Sequence, residues 1–240
     1  MIKELGKRFF RALGLEVSRT SLERNFTRNI AWHCLHKKVD LCLDVGANTG
    51  QFAAELRASG YSGQILSFEP LHTAHCELLK RSAADSRWDV APRVAIGDRT
   101  GEIVINVANN SASSSVLPML AKHLEAAPHS KYVDQETVRI ITLDEFIRGG
   151  EFSGTFDSAL LKIDTQGYEG AVLRGSTEVL SRVRLVVLEM SLVPLYEGSQ
   201  TFIDLYQTLS DHGFRCANIN PMFYDRQKHE LLQVDGLFAR

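Results

Sequence analysis

Asp44-Val-Gly46-Ala-Asn48-Thr-Gly50 stands between the apolar run that starts at Leu41 and the helix-like Gln51-Phe-Ala-Ala-Glu-Leu-Arg. A strand, a tight turn and a helix start therefore follow one another. Glycine lets backbone come close to a ligand, and a helix start presents unpaired N–H groups, so this corner suits a nucleotide. The spacing Gly46-x-Asn48-x-Gly50 is not the G-x-G-x-x-G of dinucleotide binding. Asp44 would repel a pyrophosphate, whereas it would attract the cationic amino-acid end of S-adenosylmethionine. Asp44, Gly46, Asn48 and Gly50 are thus candidate adenosylmethionine ligands. A second short apolar run, Gln64 to Phe68, ends in Glu69-Pro70. An acid at the second strand tip of such a fold accepts hydrogen bonds from both ribose hydroxyls. Pro70 fixes the backbone after it. Phe68, Glu69 and Pro70 join the cofactor set, as do Ile96 and Asp98 at the end of a third strand.

The elements that position these residues alternate. Strands are expected at about 40–45, 64–68, 88–96, 159–164 and 184–189, and helices at about 21–38, 50–59, 71–84, 167–180 and 202–212. Such alternation indicates a parallel sheet. The rhythm breaks between the third and fourth strands. Gly101–Val107 and Thr137–Ile141 are expected as an antiparallel pair inserted into the sheet order, with the 109–134 loop over the cofactor mouth. Thr142-Leu-Asp-Glu145 matches a capping box and starts a short helix. Segments 214–219 and 231–238 form a closing antiparallel hairpin. The expected fold is α/β and Rossmann-like, with a seven-stranded mostly parallel sheet.

At 240 residues and 44% hydrophobic the chain suits one large domain. A net charge of −2 offers no general attraction to nucleic acid. Cys34, Cys42, Cys76 and Cys216 form no C-x-x-C pair and read as free thiols in a reducing compartment. No run approaches the ~20 apolar residues of a membrane span, and a cytoplasmic location is expected. Ile2, Leu5, Phe9 and Leu13 share one helical stripe, surrounded by Lys3, Lys7, Arg8 and Arg11. Such a helix can rest at the inner membrane surface, or pack on its own domain or on a second copy in a homodimer.

Leu43-Asp-Val-Gly-Ala-Asn-Thr-Gly50, Phe68-Glu-Pro70 and Leu161-Lys-Ile-Asp-Thr-Gln-Gly-Tyr-Glu-Gly-Ala-Val-Leu-Arg-Gly175 together resemble the FkbM family of methyltransferases. The third motif is the specific one. The Glu189-x-Ser-x-x-Pro-Leu-Tyr196 segment is similar as well, and the resemblance spans about residues 40–195. It implies a class I methyltransferase domain, expected over 39–240; the stretch over 1–38 matches no family pattern and is expected, from its own apolar spacing, to be a helical extension. It also implies adenosylmethionine-dependent methylation of hydroxyl oxygens, commonly on sugars or polyketide-derived natural products.

Methyl transfer to oxygen is a direct displacement. The protein must align the hydroxyl at about 3–3.5 Å from the methyl carbon and take its proton; a positioned base gives about 10²–10⁴-fold. Asp164, at the fourth strand tip where ligands bind in open α/β sheets, is the first choice for that base. A helix cap is its bland alternative. Lys162 shares its strand face and could hold or polarise a carboxylate. Glu189, at the next strand tip, is the second catalytic carboxylate. Ser113, Ser114, Gln166 and Glu169 are candidate substrate contacts. For the serines the alternative is a solvated connector, and for Glu169 it is service at a helix N-terminus. His72 and His75 lack an adjacent third ligand, so no metal site is assigned, although a divalent ion on Asp164 and a neighbouring carboxylate stays open as a variant. The expected substrate is a small-molecule or lipid-linked sugar, in a glycolipid or natural-product glycoside. Competing readings are methylation of another small molecule or of nucleic acid, a nicotinamide enzyme, and a non-catalytic binding subunit.

Overall fold

The computed structural model describes residues 25–152 and 154–240. The basic stripe of residues 2–13, expected as an amphipathic helix, lies outside them. The first described helix is α1 (Phe26–His36), where Asn25 accepts the Arg28 N–H at 2.8 Å as N-cap.

Two five-residue strands, β1 (Leu41–Val45) and β2 (Gln64–Phe68), flank α2 (Gln51–Ala58). Then come α3 (His72–Ser82), β3 (Trp88–Val90), β4 (Ala95–Gly97) and β5 (Gly101–Ala108). They are followed by α4 (Ala121–Ala126), a 3₁₀ turn at Pro128–Ser130, β6 (Tyr132–Thr142) and α5 (Leu143–Arg148). The chain closes with β7 (Ala159–Ile163), α6 (Glu169–Arg174), α7 (Thr177–Leu180), β8 (Val183–Ser191), α8 (Phe202–Asp211), β9 (Arg215–Asp225) and β10 (Glu230–Ala239).

The main sheet has seven strands in the order β3-β2-β1-β7-β8-β10-β9. Its first five run parallel, and β10 pairs antiparallel with both β8 and β9. Every residue of β1 and β7 is buried, as expected for strands covered on both faces. Period two divides them. Leu41, Leu43, Val45, Leu161 and Ile163 face a core with Phe146, Val172, Leu205 and Leu209. Cys42 and Leu160 face the other core, with Ile30, Ala53, Leu56 and Leu78.

Three expectations are corrected. The third strand does not run from 88 to 96: it breaks at Ala91-Pro92-Arg93, where Pro92 has no N–H to continue a ladder. The piece beyond, β4, leaves the main sheet. It pairs parallel with β6, which pairs antiparallel with β5, so the inserted pair belongs to a separate three-stranded sheet. The helix expected over 167–180 is two short ones, with Gly175 between them at a point where a Cβ would overlap the Gly97 carbonyl oxygen. The Thr142 side chain does accept the Glu145 N–H at 3.1 Å, whereas Glu145 itself turns to Thr100.

Candidate functional site

The carboxyl ends of the parallel strands open into one cavity of about 360 Å³. Sheet order sets its layout: Glu69 beyond β2, the Gly46–Asn48 turn beyond β1, Asp164 to Gln166 beyond β7, then Glu189 on β8 and Asp235 on β10. The three-stranded sheet and the loop after β5 contribute Ala95, Ile96, Ile105, Ser111, Ser114 and Ser115.

At one end stands Glu69, which is 5% exposed. One carboxyl oxygen accepts the Asn48 N–H at 2.8 Å and the other the Leu71 N–H at 2.9 Å. Each oxygen keeps a second lone-pair direction, which matches two neighbouring ribose hydroxyls. Phe68, Leu71, Val94 and Ile96 form an apolar wall beside it for a base. These residues fit the nucleoside part of adenosylmethionine. Burial pushes the Glu69 carboxyl up to about 7, against the hydrogen bonds from Leu71 and Asn48. The ionised form is the better hydroxyl acceptor. Adenosylmethionine affinity should therefore rise between pH 6 and 8 in wild type and stay flat in Glu69→Gln, which titration calorimetry at several pH values would check.

The glycine-bearing turn works differently from its sequence reading. Gly46 (φ +72°) and Gly50 (φ +85°) are left-handed, as is Asn48 (φ +49°). A Cβ on Gly46 would overlap the Asp164 carbonyl oxygen, and one on Gly50 would press on Leu78 and Trp88 at 2.9 Å. Gly50 thus serves packing and does not line the cavity. Gly46→Ala should cost about 2–4 kcal/mol in urea unfolding, because strain and clash coincide.

Asp44 is fully buried behind the turn and does not line the cavity either. Register explains this: Asp44 lies opposite Lys162 in the β1–β7 ladder. Their side chains form an ion pair at 3.3 Å, and Asp44 also accepts the Ser67 hydroxyl at 3.1 Å. Lys162 lines the cavity, donates to the Gly46 carbonyl at 2.7 Å and stands 3.7 Å from Asp164. Burial works against its charge, but Asp44 and Asp164 outweigh that and hold the ammonium above its usual range.

At the acceptor end, the Gln166 amide nitrogen donates to Asp164 at 2.9 Å and to Glu189 at 2.7 Å. Glu189 also accepts from Gln233 at 3.1 Å. Burial, then Asp164, Glu169 and Asp235, push its carboxyl well up. Asp235, paired in register with Glu189 across β8–β10, is a further cavity carboxyl that the sequence reading missed. Burial and Asp164 push it up to about 7. An acid inside the apolar run Leu231–Phe238 was the signal available.

Of the other expected contacts, Asp98, Ser113 and Glu169 lie outside the cavity lining. Asp98 turns to Arg174 at 2.8 Å. Ser113 is buried in a hydroxyl cluster with Asn110 and Ser130. Glu169 caps its own helix start, accepting the Thr165 and Gly167 N–H groups. Ser114 lines the cavity, and its hydroxyl accepts the Ala108 N–H at 2.9 Å. His75 contacts the Ala91 carbonyl. Among the described residues no group of three His, Cys, Asp or Glu is arranged to hold a metal ion.

Comparison with known proteins adds four likenesses. The Methyltransferase FkbM domain matches residues 44–216. The 2-O-methyltransferase NoeI of Sinorhizobium fredii is 27% identical over 177 residues, 68% of each chain. Among solved structures, the Burkholderia thailandensis 1,6-didemethyltoxoflavin-N1-methyltransferase, with S-adenosylhomocysteine bound, superposes with a TM-score of 0.44 and 13% identity. That match covers 89% of this chain and 78% of the other. TehB from Haemophilus influenzae gives a TM-score of 0.45 at 8% identity, covering 88% and 61%.

Proposed function

The chain belongs to the FkbM methyltransferase family, and from that premise we propose that it methylates a hydroxyl oxygen of a sugar carried by a glycolipid or natural-product glycoside. The enzyme is adenosylmethionine-dependent; bound in the cavity, the cofactor supplies an electrophilic sulfonium methyl. The observation that carries the acceptor reading is the row Asp164, Glu189 and Asp235, set side by side at the end of the cavity away from Glu69. A polyhydroxyl acceptor offers several O–H donors to such a row. Phe26, Phe52 and Met222 also line the cavity and suit the C–H face of a sugar ring. The relative from Sinorhizobium, by its name a 2-O-methyltransferase, supports an oxygen acceptor.

In this reading Glu69 binds the ribose and Asp164 takes the hydroxyl proton as the new C–O bond forms. Lys162, 3.7 Å away, stabilises the Asp164 carboxylate before transfer. Its distance leaves room for the proton to arrive. Glu189 and Asp235 hold neighbouring hydroxyls and so orient the ring. Methyl-labelled adenosylmethionine incubated with glycolipid extracts and with RNA tests the proposal. Label in a glycolipid supports it; label in RNA alone would sink it.

The N-terminal basic stripe suggests that the acceptor is met at a membrane surface. Among the described residues no helix is long and apolar enough to cross a membrane. Flotation with phosphatidylglycerol vesicles should carry the full chain upward at low salt, and Lys7→Glu with Arg11→Glu should leave it at the bottom.

A further inference from the structure

Gln166 has a backbone that side-chain-bearing residues rarely adopt, with φ at +54°. It follows Asp164 by two residues and is followed by the left-handed Gly167. Such conformations persist where surrounding contacts over-determine them, commonly at functional sites. Here four hydrogen bonds do so. The Ser115 hydroxyl donates to the Gln166 carbonyl at 2.6 Å, the Tyr196 hydroxyl donates to its amide oxygen at 2.7 Å, and its amide nitrogen spends its two hydrogens on Asp164 and Glu189. The amide has one sensible orientation, since reversing it would turn its oxygen toward two carboxyl groups and its nitrogen toward the tyrosine donor. Ser115 and Tyr196 are essentially fully buried, at 1% and 0% exposed.

The groups around the bridged pair come from four directions. Glu189 is faced by Asp164 beyond β7, Glu169 on α6, Asp235 on β10 and the Tyr196 hydroxyl, with Gln166 and Gln233 as its amide donors. Asp164 is faced by the Lys162 ammonium. Carboxyl groups this close to Glu189 hinder its ionisation. What distinguishes them is which receives donors and which lies beside the cation.

We propose that Gln166 is a positioning residue that fixes Asp164 and Glu189 relative to one another and thereby sets how readily Glu189 gives up its proton, with Tyr196 and Ser115 holding it in place. Environments that separate two neighbouring acids assign their acid and base roles. Burial and like charge around Glu189 favour its protonated form. The Gln166 donor offsets this in part, and the same amide aligns Asp164 toward the acceptor. Ser115 lies on the loop after β5 that walls the cavity. That loop therefore bears on the acid pair through the Gln166 backbone.

The inference rests on the reading that Asp164 takes the acceptor proton, yet its test needs no acceptor. Full-length protein with ¹³C-carboxyl-labelled Asp and Glu is titrated by NMR, with Glu189 assigned by loss of its signal in Glu189→Gln. In Gln166→Met the Glu189 midpoint should rise by about one pH unit or more, as befits one lost charge-assisted hydrogen bond. Tyr196→Phe and Ser115→Ala should shift it in the same direction by less. An unchanged midpoint in folded Gln166→Met would overturn the proposal. If that variant does not fold, wild-type midpoints in both Tyr196→Phe and Ser115→Ala would overturn it instead. A shifted midpoint combined with no labelled glycolipid would remove the sugar reading and leave the positioning role standing.

Discussion

Asp164→Asn should lower kcat by about 10²–10⁴-fold while leaving adenosylmethionine affinity within about twofold. The amide keeps the shape and the hydrogen bond to Gln166 but cannot take a proton. Asp164 lies beyond β7, separated along the carboxyl edge from Glu69 beyond β2 by the whole β1 turn, so cofactor binding by the nucleoside should not sense the change. Stopped-time assays with labelled adenosylmethionine and calorimetry with the unlabelled compound separate the two effects. A variant with wild-type kcat would remove Asp164 as the base and direct attention to Asp235, whose carboxyl burial pushes up to about 7.

The second large effect concerns stability. Lys162→Met should cost about 3–5 kcal/mol in urea unfolding, because it leaves the Asp44 charge buried at 0% exposure without its counter-ion. Among the described residues the hydroxyl of Ser67, at 3.1 Å, would be its one remaining hydrogen-bond donor. Adding Asp44→Asn to the same chain should recover much of the loss, since the double variant no longer buries an unpaired charge. If Lys162→Met unfolds at the wild-type midpoint, the ion pair contributes nothing to the fold. Lys162 would then matter only through Asp164.

Much of the architecture was legible because it depends on local periodicity. The strands at 41–45, 64–68 and 159–163 are short apolar runs ended by a turn, and their order of alternation with helices dictates a parallel sheet. The third strand misled because its pattern continues through Pro92, and only pairing shows that Ala95–Gly97 joins another sheet. The helix over 167–180 misled for a related reason. Its apolar spacing is helical on both sides of Gly175, while the Gly97 carbonyl that requires glycine there lies far away in sequence.

The site divides the same way. Strand-tip acids are visible in sequence, since a carboxylate that ends an apolar run must emerge at the sheet edge; Glu69, Asp164 and Glu189 all line the cavity. Asp44 obeys the same pattern and yet turns inward, because its ladder partner is a lysine. Asp235 was hidden because an antiparallel strand reaches this edge with its beginning, not its end. The residue types and their order along the chain thus determined the family, the sheet and the presence of an acid-lined edge. Tertiary structure alone decided which acids face the cavity, which are neutralised, and which share an amide. Those outcomes depend on register between strands far apart in sequence, and pairwise electrostatics acts over a few ångströms that no linear pattern encodes.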